Sequence, residues 1–223
     1  NFIILKKLKI EAFNCIIESN LPIGAGISSS SALICGIASG LNYLNNLKLT
    51  NDEIIDIVSD VEHNFIGLMD GIMDQFTIVN GKKNKLILLN CQNRNFKYIN
   101  FDFKNYKFLL INTNIEHNLA DSAYNERVKE CSEALSVINK KYNKYNSLIE
   151  VEENILNEFK SILKEKIYNR ALFVIQENQR THDSANKISN LKLKEFGELM
   201  YKSHYGLKNL YEVSCKELDF LVE

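Results

Sequence analysis

A glycine- and serine-rich stretch at residues 21–32 holds the residue types best suited to chemistry in this chain. It contains Pro22, the only proline among 223 residues, the glycines Gly24 and Gly26, and four consecutive serines at 28–31. Glycine has no Cβ, so the backbone at these positions can come close to a ligand. A loop that leads straight into a helix points several N–H groups and the positive helix end at one place, which suits a phosphate. The loop alone is equally compatible with a serine turn that only caps a helix.

The best-known templates for such loops do not fit this one. A Walker A loop needs a lysine before its final serine or threonine, whereas here the serines are followed by Ala32. The dinucleotide-binding pattern needs a third glycine where Ser29 stands, and the esterase elbow needs a glycine at Ser30. The remaining pattern, P-x-G-A-G-x-S-S-S, offers backbone amides and hydroxyl groups to phosphate oxygens and Mg²⁺.

The elements on both sides of the loop must hold it in place. Phe13, Cys15 and Ile17 lie at every second position and would share one face of a strand, which predicts a strand over 12–18. The apolar run after the serines predicts a buried helix over about 30–44. Thr50 followed by Glu53 is a capping box, which predicts a helix running to about residue 65. Other predicted elements are the tail of a helix at 2–9, a hairpin at 85–91 and 96–101, a strand at 106–111, and helices at about 121–140, 151–163, 165–178, 192–209 and 215–223.

Composition excludes several functional classes. The net charge of -1 gives no electrostatic reason to expect nucleic acid or an anionic membrane as a partner. No apolar run reaches the roughly 18 residues that a membrane-spanning helix needs. The five cysteines form no C-x-x-C pair, which predicts reduced thiols in a cytoplasmic protein without a zinc site. The change from mixed α/β to mostly helical patterns predicts two domains, 1–104 and 105–223.

Four motifs, in order along the chain, resemble a known family. Residues 21–32 are similar to the phosphate loop of the GHMP small-molecule kinases, and most closely to the galactokinase version, P-x-G-A-G-L-S-S-S-A. Residues 62–76 resemble E-x-x-F-x-G-x-x-C-G-I-M-D-Q, and residues 112–131 resemble N-S-N…S-E-Y-N-x-R-R-x-E-C. Residues 197–219 end in Y-E-V-S-C-K-E-L-D, which is similar to a run typical of galactokinases. The resemblance covers the whole chain.

The resemblance implies a role for particular residues. Asp74 would be the catalytic base, taking the proton from the anomeric hydroxyl of the sugar as that oxygen attacks the γ-phosphate of ATP. Ser30 and Glu62 would bind Mg²⁺, which prefers few protein ligands together with phosphate oxygens and water. Gly71 and Tyr124, with Asp74, would contact the sugar. The ATP phosphates would lie against Gly24, Ala25, Gly26, Ile27, Ser28, Ser29 and Ser30.

Without the motifs, these residues have plainer interpretations. An aspartate such as Asp74 beside a methionine-rich loop is usually a turn or cap residue. Glu62 at a helix end is usually solvated, and Tyr124 at the start of a helix usually packs. The chain also departs from the family pattern: Asp70 stands in place of cysteine, and Ala123 in place of the glutamate of S-E-Y.

The resemblance implies a two-lobed α/β (α+β) fold. The first lobe would be similar to the second domain of ribosomal protein S5, and the second would be ferredoxin-like with added helices. ATP and the sugar would meet between them. The implied activity is phosphorylation of galactose by ATP and Mg²⁺ to galactose 1-phosphate, in a protein that is monomeric at full length. Two alternatives stay open: a 1-kinase for N-acetylgalactosamine or another pyranose, and a non-catalytic sugar- and ATP-binding regulator.

Two galactokinase motifs are absent from these residues. They are the amino-terminal G-E-H-T-D-Y signature, which supplies most sugar contacts in the family, and the carboxyl-terminal glycine-rich motif. The chain thus resembles the central part of a galactokinase. We expect these 223 residues alone not to phosphorylate sugar, and ATP-dependent turnover by them would contradict this.

Overall fold

The computed structural model describes residues 8–67, 71–101, 106–115 and 124–223. The chain divides into two compact units, residues 1–122 and 123–223. The lobe boundary expected between residues 104 and 105 is not tested by this division and stays a prediction. The predicted helix tail at 2–9 lies almost wholly outside the described residues.

The first unit contains three α-helices and one β-hairpin among its described residues. They are α1 Ser29–Leu44, α2 Asn51–Val61, α3 Met73–Asn80, β1 Lys85–Leu89 and β2 Phe96–Asn100. Helix α2 continues directly into a π-helical turn, Glu62–Ile66. The strands pair antiparallel, with Ile87 opposite Tyr98.

The predicted capping box starts α2. The Thr50 side chain accepts a hydrogen bond from the backbone N–H of Glu53, and the Glu53 side chain accepts one from the backbone N–H of Thr50. These bonds satisfy N–H groups that have no partner within the helix. The helix then buries Ile54, Ile55, Ile57 and Val58.

Helix α1 begins where the sequence predicts, but it is not buried all round. Ser31, Cys35 and Leu41 are buried, whereas Leu33 and Ile37 are exposed. The buried positions follow the helical period, so one face packs and the other does not. Cys35 packs against Ile54 and Val58 of α2, and these three residues form a small core in the first unit.

Helix α3 packs against α1 and α2, and the hairpin packs against α3. Phe76 is buried, and its ring meets that of Phe96 edge to face at a centroid distance of 5.0 Å. The hydroxyl of Tyr98 donates to the carbonyl of Asn80 at 2.6 Å, so β2 is bonded to the end of α3. The hairpin itself was predicted correctly, and its loop contains Arg94 at a φ of 61°.

Two predicted strands, 12–18 and 106–111, are wrong. Both stretches have no regular structure, and the sheet of the described residues contains only β1 and β2. A strand is stable only when a neighbouring strand takes its backbone hydrogen bonds, and alternation of apolar residues does not supply that neighbour. Their apolar side chains are accordingly exposed, including Ile16 and Leu109.

The described part of the second unit, 124–223, is helical. Its α-helices are α4 Tyr124–Tyr142, α5 Glu153–Asn157, α6 Glu165–Ser189, α7 Leu193–Gly206 and α8 Lys216–Val222, with a short 3₁₀ turn at Leu148–Glu150 and a π-helical turn at Leu207–Tyr211. Its core combines α4, α6 and the segment between them, and includes Ala134, Ile138, Leu156, Phe159, Ile167 and Ala171.

Among the helices that the structure describes, none has both the length and the apolar character required to cross a membrane.

Candidate active site

The glycine–serine loop has an alternating backbone conformation. Gly24, Gly26 and Ser28 have positive φ angles of 73°, 69° and 58°, whereas Ala25 and Ile27 between them do not. Alternation of this kind turns successive N–H groups toward one side and forms an anion-binding concavity. No atom lies within 4 Å of where a Cβ would stand on Gly24 or Gly26, so the glycines are required by the backbone angle and not by crowding.

Ser28 connects this loop to Asp74. Asp74 lies in the first turn of α3, half-buried, where the positive end of the helix favours a carboxylate. The hydroxyl of Ser28 donates a hydrogen bond to Oδ2 of Asp74 at 2.5 Å. The predicted phosphate loop and the predicted base are therefore in direct contact within the first unit.

Glu62 forms a second, buried cluster with Ser31 of α1 and Gln75 of α3. Its side chain is 1% exposed, at the point where α2 passes into the π-helical turn. Oε1 accepts a hydrogen bond from the hydroxyl of Ser31 at 2.6 Å, and Oε2 accepts one from the side-chain amide of Gln75. Burial and the nearby charge of Glu62 raise the pKa of the Cys35 thiol to about 11.

The surroundings of Glu62 fit a bound cation. A buried carboxylate is costly unless a positive charge or a metal compensates for it. Among the described residues, the hydrogen bonds to Glu62 come from the uncharged side chains of Ser31 and Gln75, and no ion pair reaches it. Carboxylate and hydroxyl oxygens are the donors that Mg²⁺ prefers. The Glu62 carboxylate is thus suitable as one ligand of magnesium, although no group of three or more acidic, histidine or cysteine side chains occurs in the described part of the chain.

The other predicted site residues differ in how far they are exposed to solvent. The side chain of Ser29 is half-buried, whereas Ser30, predicted to bind Mg²⁺, is exposed. Gly71 is exposed, and no atom lies within 4 Å of where its Cβ would stand, so the space beside its backbone is open. Tyr124 is the first residue of α4. Asp70 lies outside the described residues.

The sequence did not single out Ser31 or Gln75. Ser31 stands where the galactokinase pattern P-x-G-A-G-L-S-S-S-A has alanine, and it is this serine, not Ser30, that contacts Glu62. Gln75 is the last residue of the quoted G-I-M-D-Q motif, next to Asp74. The departure from alanine at Ser31, and the place of Gln75 next to Asp74 in the G-I-M-D-Q motif, were the available signals.

The third and fourth motifs meet in the second unit around Arg170, which is fully buried. Its Nε donates to Glu130 at 3.2 Å, and one terminal nitrogen donates to Glu212 at 2.5 Å. Arg127 and Lys166 also pair with Glu130. Burial raises the pKa of the Glu130 carboxyl, but hydrogen bonds from Lys166 and Arg127 outweigh it, so that pKa lies below its ordinary value. This cluster binds α4, α6 and the π-helical turn together, which is a structural role.

The loop, with its alternating backbone and its contact to Asp74, is suited to bind a phosphate, and comparison with known proteins shows which proteins this chain is similar to. Residues 2–82 match the family model described as the GHMP kinases N terminal domain. The chain is 41% identical over 222 residues to a galactokinase of Clostridium tetani, covering 99% of the chain and 56% of the relative. A galactokinase of Limosilactobacillus fermentum is 37% identical over 220 residues, again with 56% of the relative covered.

A solved structure gives the same result. The crystal structure of Lactococcus lactis galactokinase complexed with galactose matches with a TM-score of 0.85 and 33% identity, over 90% of this chain and 52% of that one. The predicted fold class and the predicted resemblance to galactokinases, within the GHMP kinases, are therefore confirmed. The chain spans about half the length of the curated relatives that it matches.

Proposed function

We propose that this chain carries the phosphate loop and the catalytic base of an ATP-dependent sugar 1-kinase of the galactokinase type. The reaction would move the γ-phosphate of ATP to the anomeric hydroxyl of galactose and give galactose 1-phosphate and ADP. The observation that carries the proposal is the 2.5 Å hydrogen bond from Ser28 to Asp74, since it joins a loop suited to phosphates to a carboxylate suited to a proton.

Each step of the transfer has a residue suited to it. Backbone N–H groups of residues 24–30 would hold the phosphates of ATP. Asp74 would accept the proton of the anomeric hydroxyl while its oxygen bonds to the γ-phosphorus and the bond from that phosphorus to the ADP oxygen breaks. The open space beside the backbone of Gly71 supports close approach of a sugar ring there. Catalysis of this kind depends mainly on positioning and charge stabilisation.

Magnesium would neutralise charge on the phosphates, as it does in phosphoryl transfer generally. Glu62 is the carboxylate that fits it, with the hydroxyl of Ser30 as its predicted second ligand. Ser31 would then hold one carboxylate oxygen of Glu62 and Gln75 the other. Tyr124 is proposed as a sugar contact on the resemblance alone.

The test is a graft that supplies the missing galactokinase motifs. These residues replace the matching segment of the Clostridium tetani relative, and release of ADP is measured with galactose, N-acetylgalactosamine and glucose. We expect phosphorylation of galactose, and a loss of about 10²–10⁴-fold in kcat for Asp74→Asn, because an amide cannot accept the proton. Asp60→Asn, on the neighbouring helix α2, is the matched control and keeps the activity.

Each other result selects another interpretation. Full activity of Asp74→Asn means that another group is the base. Phosphorylation of N-acetylgalactosamine in preference to galactose favours the related kinase. A sugar that binds in calorimetry without being phosphorylated favours the non-catalytic regulator.

A further inference from the structure

The hydroxyl of Ser28 is used in an unusual way. Ser28 is the N-cap residue of α1, a position where a serine side chain normally accepts a hydrogen bond from the first turn of the helix. Here the side chain makes no such cap bond and donates to Asp74 instead. Its backbone has φ 58° and ψ 40°, a left-handed conformation that is unfavourable for a residue with a Cβ. The site therefore keeps a strained residue whose side chain faces Asp74.

A serine hydroxyl has a single proton and can donate only one strong hydrogen bond at a time. In the present structure that proton is bonded to Asp74. Ser28 also belongs to the loop proposed to hold the ATP phosphates, whose oxygens accept hydrogen bonds strongly. A phosphate oxygen and the Asp74 carboxylate would thus compete for the same proton.

We propose that Ser28 couples occupancy of the phosphate loop to release of Asp74. In the nucleotide-free protein the hydroxyl is held by Asp74, and on binding of nucleotide it turns to a phosphate oxygen. The Asp74 carboxylate then loses this donor, and the vacated position on Oδ2 can accept a hydrogen bond from the sugar hydroxyl. This inference rests on the proposed function and makes Ser28 a positioning residue, since it acts on the acceptor side through Asp74.

The neighbouring serines do not share this arrangement. Ser29 is the first residue of α1 and its hydroxyl is not bonded to Asp74, while that of Ser31 donates to Glu62. Among the described loop serines, Ser28 is the one whose hydroxyl can turn from the Asp74 carboxylate to a phosphate oxygen. Ser29 therefore provides a matched control on the same loop.

A double-mutant cycle tests the exchange with one ligand. Binding of the Mg²⁺ complex of a non-hydrolysable ATP analogue is measured by calorimetry for the graft into the Clostridium tetani relative described above, with these residues unchanged and as Ser28→Gly, Asp74→Ala and the double variant. Glycine accepts the left-handed backbone and costs little at an N-cap, so Ser28→Gly removes the hydroxyl without strain. Asp74→Ala also removes a negative charge near the phosphates. This changes nucleotide affinity equally with and without the Ser28 hydroxyl, so it cancels in the cycle.

We expect Ser28→Gly to weaken binding little in the wild-type background, because the hydroxyl must leave Asp74 to reach the phosphate. In the Asp74→Ala background the same change weakens binding more, by an additional factor of about three or more. The corresponding cycle with Ser29→Ala is additive. Circular dichroism of each variant verifies that it is folded.

The outcomes separate this inference from the proposed function. A graft with unchanged residues that takes up no nucleotide contradicts both. If the unchanged protein binds nucleotide and the Ser28–Asp74 cycle is additive, the proposed change of partner by the Ser28 hydroxyl is wrong, while the proposed nucleotide binding is supported. If Ser28→Gly weakens binding in the wild type but not in Asp74→Ala, Ser28 acts only by fixing Asp74, which also contradicts the exchange.

Discussion

At the scale of single residues, the site combines two carboxylates in different surroundings. Asp74 is half-buried beside the loop and bonded to Ser28, whereas Glu62 is buried and bonded to Ser31 and Gln75. A base must be reachable by its substrate, and a metal ligand must be held still. The two environments fit the roles proposed for these residues.

Ser31→Ala should destabilise the first unit. The change leaves a buried oxygen of Glu62 without its donor, so we expect the free energy of unfolding to fall by about 1–3 kcal/mol. Ser30→Ala removes an exposed hydroxyl from the next position and should stay within about 0.5 kcal/mol. Urea unfolding followed by circular dichroism measures both. Equal stabilities for the two variants would mean that the Ser31–Glu62 contact contributes nothing.

The motif could not predict that Ser31, rather than Ser30, contacts Glu62. Neighbouring residues on a helix point about 100° apart, and the start of α1 fixes which serine faces the core. The resemblance identified the loop, Glu62 and Asp74 as one group of residues. It could not predict the contact of Ser28 with Asp74, because that contact depends on a left-handed backbone angle at a non-glycine residue.

At the scale of elements, helices were predicted better than strands. The capping box and the spacing of apolar residues are local signals, and α2 follows them. The stretches 12–18 and 106–111 have strand-like patterns but no partner among the described residues. Helix α6 extends to Ser189, beyond the predicted end at 178, because Ala185 and Ile188 are buried within an otherwise polar sequence.

Two glycines of helix α7 should respond in opposite ways to alanine. A Cβ on Gly206 would lie 2.9 Å from two ring carbons of Phe173, which is itself buried and cannot move away easily. Gly206→Ala should therefore cost about 1–3 kcal/mol of unfolding free energy. A Cβ on Gly197 meets no atom within 4 Å, so Gly197→Ala should stabilise the helix by about 0.5–1 kcal/mol. Thermal and urea unfolding compare the two, and a shift of the same sign in both would contradict the packing described here.

At the scale of the whole molecule, the chain consists of two units that each have a core of their own. The motifs of the first unit contribute the candidate active site. The motifs of the second unit contribute the ion cluster around Arg170. A run such as 211–215 can therefore be typical of a family because it stabilises the fold, without taking part in the chemistry. The ring of Tyr211 in that run packs against the ring of Phe173, and Cys215 precedes α8.

The cluster makes the second unit sensitive to acid. The pKa of Glu130 is lowered in the folded state, so its stabilising contribution is present above its unfolded value of about 4.3 and is lost as the pH falls through the folded value. Glu130→Gln leaves the buried arginine side chains without their partner and should cost about 3 kcal/mol at pH 7. Urea unfolding from pH 7 down to pH 3.5 should show this cost shrinking below about pH 4.3, as the wild-type carboxyl becomes neutral too.

Glu126 offers the comparison for this pH series. It also pairs with Lys166, but its side chain is exposed, so Glu126→Gln should change stability little at any pH. A cost of Glu130→Gln that is independent of pH would show that lost packing, and not charge, stabilises the cluster.

The buried thiol of Cys35 gives the candidate site a chemical reporter of its own. Only a thiolate is readily alkylated, and Cys35 is 2% exposed with a pKa raised to about 11. Cys15, exposed on the segment before the loop, should react with iodoacetamide at neutral pH while Cys35 stays protected. The rate at which Cys35 is eventually alkylated would then measure how often the packing between α1 and Glu62 opens, with a native residue as the reporter.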